Sequence, residues 1–218
     1  MSRRLYVFVV AAMGVGSLLA GLVFARHVIA VASEENAERL SRAILQYVVR
    51  RNPEAPVAIF RYYPEVLLAE ARLTNIDHCL AMAQAEVESE FRPEAVGAAG
   101  EIGLYQILPS TAAMLEPVAG RFKRPAYARG RRDLGDLANP LVNTHFAMAY
   151  LRDIMSRKPS IKEALTEYNG GPSGRHYHYY QRVMSTYVEI LENAELRCRF
   201  QPVPQQPPSP VMALLSRM

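Results

Sequence analysis

Helix-start signals recur along this chain at short intervals, and that spacing leaves room for little besides helices. Pro64 leads into EVLLAEARL, Asp77 precedes HCLAMAQAEVES, Ser110 follows Pro109, Asn139-Pro140 opens LVNTHFAMAYLRDIM, and Ser160 precedes IKEALTEY. Short polar side chains satisfy the free N–H groups of a helix start, and proline suits the first helical position because its missing N–H is not needed there. The pattern predicts Asp77, Ser110 and Ser160 as caps, and Pro140 at the first position of the helix that Asn139-Pro140 opens. Between Glu34 and Arg50, Ala37, Leu40, Ile44, Tyr47 and Val48 recur at helical spacing until Pro53 and Pro56 break the run. A long last helix is expected from about Tyr179 to Arg197. No stretch alternates convincingly as a strand, so the expected fold is all-α. A helical lead-in over 34–73 and a principal domain over 74–200 follow from the same signals.

The ends read differently. Arg3 and Arg4 precede an uncharged run from Leu5 to Ala25. A membrane-spanning helix needs about 20 apolar residues, whereas a cleavable signal has a core of only about 7–15. Residues 1–33 are therefore expected to be a membrane anchor, with the leading arginines keeping the N-terminus inside and the rest exported. The rival is a cleaved signal, for which Ala30-Val31-Ala32 resembles a small-residue cleavage site. The other end, 201–218, is rich in proline and glutamine and is read as a disordered tail unable to build a core.

Half of the 218 residues are hydrophobic and the net charge is +4. That mild excess lacks the concentrated basic stripe of a nucleic-acid binder, and no nucleic acid is expected as a partner. Six cations lie between Glu116 and Asp136, in a long irregular region. They read as a solvated loop, the alternative being a basic loop beside a cleft that meets anionic substrate. Cys79 and Cys198 either form one bridge in an exported compartment or sit as small buried thiols. No Cys/His cluster has zinc spacing, and His176 and His178 lack further ligands. GGPSGR at 170–175 lacks the lysine and the spacing of a phosphate loop. Neither metal nor cofactor is expected.

Three carboxylates stand out: Glu86, Glu88 and Glu90, placed two apart where a helix gives way to a loop rich in glycine and alanine. At roughly 100° per residue, Leu80, Ala83 and Val87 form a buried stripe that Phe91 extends. Glu86 and Glu90 fall on one flank and read as a solvated pair. Glu88 falls on the other, beside Ala81, Gln84 and Ala85, on a face able to pack closely or to line a cleft.

The residues that follow carry a resemblance. Glu88-Ser89, F-x-P-x-A-V, G-x-x-G-L-Y-Q at 100–106, P-S-T-A at 109–112, N-P-x-x-N at 139–143, A-x-x-Y-L at 147–151 and Y-N-G-G at 168–171 occur in the order of the Slt-type lytic transglycosylases. The chain resembles that family from about Asn75 to Glu192. The resemblance implies a lysozyme-like helical domain that cleaves bacterial peptidoglycan strands with a single glutamate followed by serine, here Glu88. It implies that Glu88 protonates the leaving oxygen and then deprotonates the carbon-6 hydroxyl of N-acetylmuramic acid, giving a 1,6-anhydro end without water. It further implies substrate contacts or positioning for Ser89, Gln106, Tyr168 and Asn169. Tyr105 replaces a frequent methionine and Glu101 a frequent alanine, and both are expected to alter sugar-subsite contacts.

The expected function is that of a membrane-anchored peptidoglycan lytic transglycosylase of the periplasm. Its expected partners are glycan strands, the bacterial inner membrane and a secretion or conjugation machine. A muramidase-type hydrolase on the same fold is the nearest rival, and a non-catalytic glycan-binding adaptor the more distant one.

Overall fold

The computed structural model describes Arg26 and residues 32–128, 131–175 and 177–199. The expected anchor run at 5–25 and the tail at 201–218 lie outside the described residues. Among the described residues, no helix is long and apolar enough to cross a membrane. The chain divides into two units, Met1–Ser41 and Arg42–Met218. In the first, residues 32–41 are helical and Arg39 pairs with Glu35 at 3.7 Å.

The second unit is mostly helical. It begins with α1 at 42–51, followed by α2 (Val57–Phe60), α3 (Tyr63–Thr74), α4 (His78–Ser89) and α5 (Pro109–Ala119). After the strands described below come α6 (Pro140–Arg157), α7 (Ile161–Gly170) and α8 (His178–Leu191). Local chemistry explains most boundaries. Asp77 accepts from the Cys79 amide at 3.3 Å, Asn139 from Leu141 at 2.9 Å and Ser160 from Glu163 at 3.2 Å. Pro64 and Pro140 occupy first-turn positions, where no N–H is required. Asn75 ends α3 in the left-handed conformation at φ 55°, which asparagine tolerates better than most residues.

Three expectations need correction. Ala126–Ala128 (β1) and Arg131–Asp133 (β2) form an antiparallel pair, with Ala126 opposite Asp133, inside the region expected to be irregular. Ser110 does not cap α5: the helix starts at Pro109 after Leu108, and no side chain caps it. The last helix stops at Leu191, because the Asn193 side chain accepts from Glu195 and starts a separate 3-10 turn, Ala194–Leu196.

The core forms around α4, whose residues 78–86 are all buried, together with Ser89. α3 and α8 pack against it, and α6 packs against α3, α5 and α7. Such an enclosed helix is apolar nearly all round rather than along one stripe. Its N-terminal end is tied down by a disulfide between Cys79 and Cys198, 119 residues apart. Beside the bridge, His78 Nε2 donates to the Leu196 carbonyl at 2.8 Å, and the Tyr187 hydroxyl lies 2.6 Å from Asp77 Oδ2 and 2.7 Å from the Arg199 carbonyl.

Candidate active site

The site grows from the C-terminal end of α4. Glu90 and Phe91 both take positive φ, 53° and 57°, and reverse the chain there. Phe91 is then fully buried, edge-on to Tyr47 and Tyr63. The loop that follows folds back over the helix end through short antiparallel bridges, Val96 with Ile102 and Ile102 with Ile107. Asn143 of α6 clasps it from behind. Its Nδ2 donates to the Ile102 and Leu137 carbonyls, each at 2.9 Å, and its Oδ1 accepts from the Tyr105 amide at 2.8 Å. Gly103 is needed at this clasp: its φ is +86°, and a Cβ there would lie 2.3 Å from the Leu137 carbonyl oxygen.

Between this loop and α5, α6 and α7 lies a cavity of about 570 Å³, and Glu88 lines it. Glu88 is largely buried, and burial pushes its carboxyl from an ordinary 4.5 up to about 7. Glu101, on the loop, adds to the rise, whereas a hydrogen bond from Tyr179 and the Arg182 guanidinium act against it. Tyr179 and Arg182 both come from the start of α8. Arg182 also donates to the Val87 carbonyl at 3.2 Å. The Tyr179 hydroxyl accepts from Gln84 Nε2 at 3.1 Å, and its ring lies parallel to that of Tyr168, centroids 6.4 Å apart. A carboxyl poised near neutrality beside an open cavity can both give and take a proton.

The cavity brings together Glu88, Gln106, Tyr168 and Asn169, all named from the sequence. Gln106 turns at φ 49°, and its amide nitrogen holds the loop through the Gly103 carbonyl at 2.9 Å and the Ala95 carbonyl at 3.2 Å. Tyr168 donates to the Tyr105 carbonyl at 3.0 Å. Ser89 does not line the cavity. It is buried, with Oγ 2.9 Å from the Leu104 carbonyl and 3.1 Å from the Ala85 carbonyl, so it fastens loop to helix. Tyr105 also departs from expectation. Its ring is in the core with the hydroxyl 3.2 Å from that of Tyr63, leaving no side chain for a sugar. The larger side chain fits because Tyr63 supplies a polar partner inside the core.

Glu86 overturns the reading of a solvated pair. It is buried, accepts from Tyr47 Oη and Arg51 Nε at 2.5 Å each, and also pairs with Arg51 Nη2. Glu90 is exposed, as expected. The sequence reading missed Tyr179, Gln84 and a charged group on the cavity wall. In that group the Glu167 carboxylate, buried in α7, meets Arg157 Nη1 at 2.5 Å and Lys158 Nζ at 2.7 Å. One signal was available: Gln84 and Glu88 are four apart on α4, the spacing that places side chains on one helix face. In the basic region, Lys123 pairs with Asp133 at 2.7 Å and Arg124 with Glu116 at 3.2 Å.

Fold and site together define a helical domain that carries one poised carboxyl in a cleft. Residues 65–185 match the family model described as the transglycosylase SLT domain, more than half of the chain, and the chain belongs to that family. Among solved structures, it is similar to an inactive mutant of the lytic transglycosylase Slt from Pseudomonas aeruginosa, with 22% identity and a TM-score of 0.51, over 69% of this chain and 26% of that one. It is also similar to the 70 kDa soluble lytic transglycosylase of Escherichia coli, with 23% identity and a TM-score of 0.42, over 62% of this chain and 22% of that one. The chain thus spans about a quarter of the length of those two proteins. No curated protein matches it.

Proposed function

We propose that this chain is a peptidoglycan lytic transglycosylase that cuts the β-1,4 bond between N-acetylmuramic acid and N-acetylglucosamine and leaves 1,6-anhydro ends. The observation that carries the proposal is Glu88, a largely buried carboxyl with its pKa near 7 on the wall of a cavity of about 570 Å³. Breaking a glycosidic bond requires a proton on the departing oxygen, so the acid must still hold one near neutral pH. As the bond to the anomeric carbon breaks, the sugar's own acetamido oxygen takes the vacant position. Glu88, now ionised, removes the proton from the carbon-6 hydroxyl, and that oxygen closes the anhydro ring. One carboxyl serves both halves, and its proton is restored at the end. Tyr168, Asn169 and Gln106 line the same cavity, which supports a role for them in contacting the glycan.

A second reading has its own support. Glu101 lines the cavity as well and faces Glu88 closely enough to raise its pKa. A second carboxylate activating water would make the protein a muramidase-type hydrolase. Glu101 Oε2 accepts from the Ala99 amide at 3.0 Å, a loop-holding role that favours the first reading. The test is the mass of the fragments released from purified sacculi. A transglycosylase gives ends lighter by one water, whereas a hydrolase gives reducing ends. Glu88→Gln should abolish release, since general acid–base groups contribute about 10²- to 10⁴-fold. Wild-type rates from a folded Glu88→Gln protein would remove Glu88 from the mechanism.

We further infer that the run at 5–25 anchors the enzyme in the inner membrane with the SLT domain in the periplasm. The run has the length of a span, and the Cys79–Cys198 bridge suits an oxidising compartment. A cut of this kind serves wall turnover or the local opening needed by a secretion or conjugation machine.

A further inference from the structure

We propose that Arg157 is a substrate-binding residue that donates to a neutral amide carbonyl of the peptidoglycan strand, and that Glu167 and Asp153 position its guanidinium for that contact. The inference rests on the reading of the cavity as the glycan cleft. Among the described residues, Arg157 is the only cation that lines the cavity, against the carboxyl groups of Glu88, Glu101, Asp153 and Glu167. It comes from the last turn of α6. Its Nη1 meets Glu167 Oε1 at 2.5 Å, and its Nε and Nη2 both donate to Asp153 Oδ2 at 3.3 Å. A guanidinium carries five N–H donors in one fixed plane. These contacts use three of them and leave two for whatever fills the cavity. The Arg157 side chain is 44% exposed and that of Glu167 only 3%, so a buried carboxylate grips a guanidinium that is itself open to a ligand.

The charges decide the chemistry of that ligand. Glu167 also pairs with Lys158 Nζ at 2.7 Å, so within the cluster Arg157 and Lys158 are balanced by Glu167 and Asp153. A ligand carboxylate would meet no uncompensated cation there, on a wall that also holds Glu101, and like-charge repulsion would oppose it. A neutral carbonyl oxygen meets no such penalty and still gains a charge-assisted hydrogen bond, stronger than one from a neutral donor. Peptidoglycan offers such carbonyls in two places, the acetamido groups of its sugars and the amides of its stem peptides. The planar fork matters, because an ammonium could satisfy Glu167 without aiming fixed donors into the cavity. Lys158 shares the ion pair but does not line the cavity. A cluster that merely stapled α6 to α7 would need both cations alike, whereas a binding role singles out Arg157.

The test is calorimetric binding of soluble peptidoglycan strands to the full chain carrying Glu88→Gln, which suppresses cleavage. This parent is compared with the same chain bearing Arg157→Lys, Lys158→Met or Asp153→Ala in addition, each checked for folding by circular dichroism. Arg157→Lys should weaken binding about tenfold, the loss of one hydrogen bond from a charged group. Lys158→Met should bind as the parent does, and Asp153→Ala should weaken binding by a smaller factor. Two treated strands then identify the carbonyl. The gap between parent and Arg157→Lys should close on strands freed of stem peptide by an amidase if the partner is a peptide amide. It should close on N-deacetylated strands if the partner is an acetamido group. Equal affinity of parent and Arg157→Lys on untreated strands overturns the proposal, and so does a gap that persists on both treated strands. A loss in Lys158→Met as large as that in Arg157→Lys overturns it too, by reducing the cluster to a structural staple. If Arg157→Lys does not fold, Asp153→Ala decides, since that exposed residue does not touch Glu167, and unchanged affinity refutes the positioning. A parent that binds no strand at all would overturn the glycan reading together with this one, which sets that failure apart from the others.

Discussion

Replacing Glu88 by glutamine should stabilise the protein, and the gain should depend on pH in a defined way. The carboxyl has a pKa of about 7 in the fold against an ordinary 4.5. The folded state therefore binds this proton more tightly than the unfolded chain does. Between about pH 4.5 and about pH 7 the folded protein keeps a proton that the unfolded chain has released, so stability falls as the pH rises through that window. Above it the whole penalty is present. At about 1.4 kcal/mol per pKa unit, the gap corresponds to about 3 kcal/mol, an upper figure because water from the cavity screens part of it. Glutamine is neutral throughout, so Glu88→Gln removes the penalty. At about 2–4 °C per kcal/mol for a protein of this size, the variant should melt up to about 6–12 °C above wild type at pH 8. Near pH 4 the two should melt together. Scanning calorimetry of both proteins across this range is the assay. A difference in Tm that does not change with pH would refute the argument, because only titration of Glu88 produces the trend.

Glu86→Gln should lose stability and keep its turnover per folded molecule, since the bonds it weakens hold α1 rather than substrate. The loss should be about 1–3 kcal/mol, reduced by the half-exposed position of Arg51, and a thermal melt at wild-type temperature would refute it. Reduction of the Cys79–Cys198 bridge should lower the Tm clearly, because a cross-link over a span of 119 residues restricts the unfolded chain by about 4–5 kcal/mol in the chain-entropy account. Alkylation without reductant should label neither thiol, and full labelling of both would show that the bridge is absent.

Local signals were legible in the sequence wherever the partner lies a few residues away. Asp77 and Ser160 cap as expected, and Asn139 caps the helix expected to open at Pro140, because each side chain meets an amide two or three residues further on. The strands Ala126–Ala128 and Arg131–Asp133 were not legible, because strands of three residues are too short for any alternation to show. The buried state of Glu86 was not legible either. Its partners Tyr47 and Arg51 are 39 and 35 residues away, and no helical wheel reveals a cation brought in by another helix. Tyr105 was misplaced for a similar reason, since its hydroxyl partner, Tyr63, is 42 residues upstream. Tyr179 read only as the beginning of a helix, and its contact with Glu88 exists only once α8 is packed on α4.

Glu86 and Glu88 make the same point about chemistry. They are two residues apart on one helix, so their side chains leave it about 200° apart. One points toward α1 and meets a guanidinium on two of its nitrogens, with a tyrosine hydroxyl besides. The other lines the cavity, and the Tyr179 phenol and the Arg182 guanidinium only moderate the rise in pKa that burial causes. An arginine paired directly with Glu88 would hold it as the anion and leave it no proton to deliver. Placing Arg51 on the far side of α4 therefore does two things at once. It anchors the helix that carries the acid, and it keeps a paired cation away from the acid itself. The separation depends on the spacing of two: at a spacing of three or four, both carboxylates would share one helix face and compete for the same arginine.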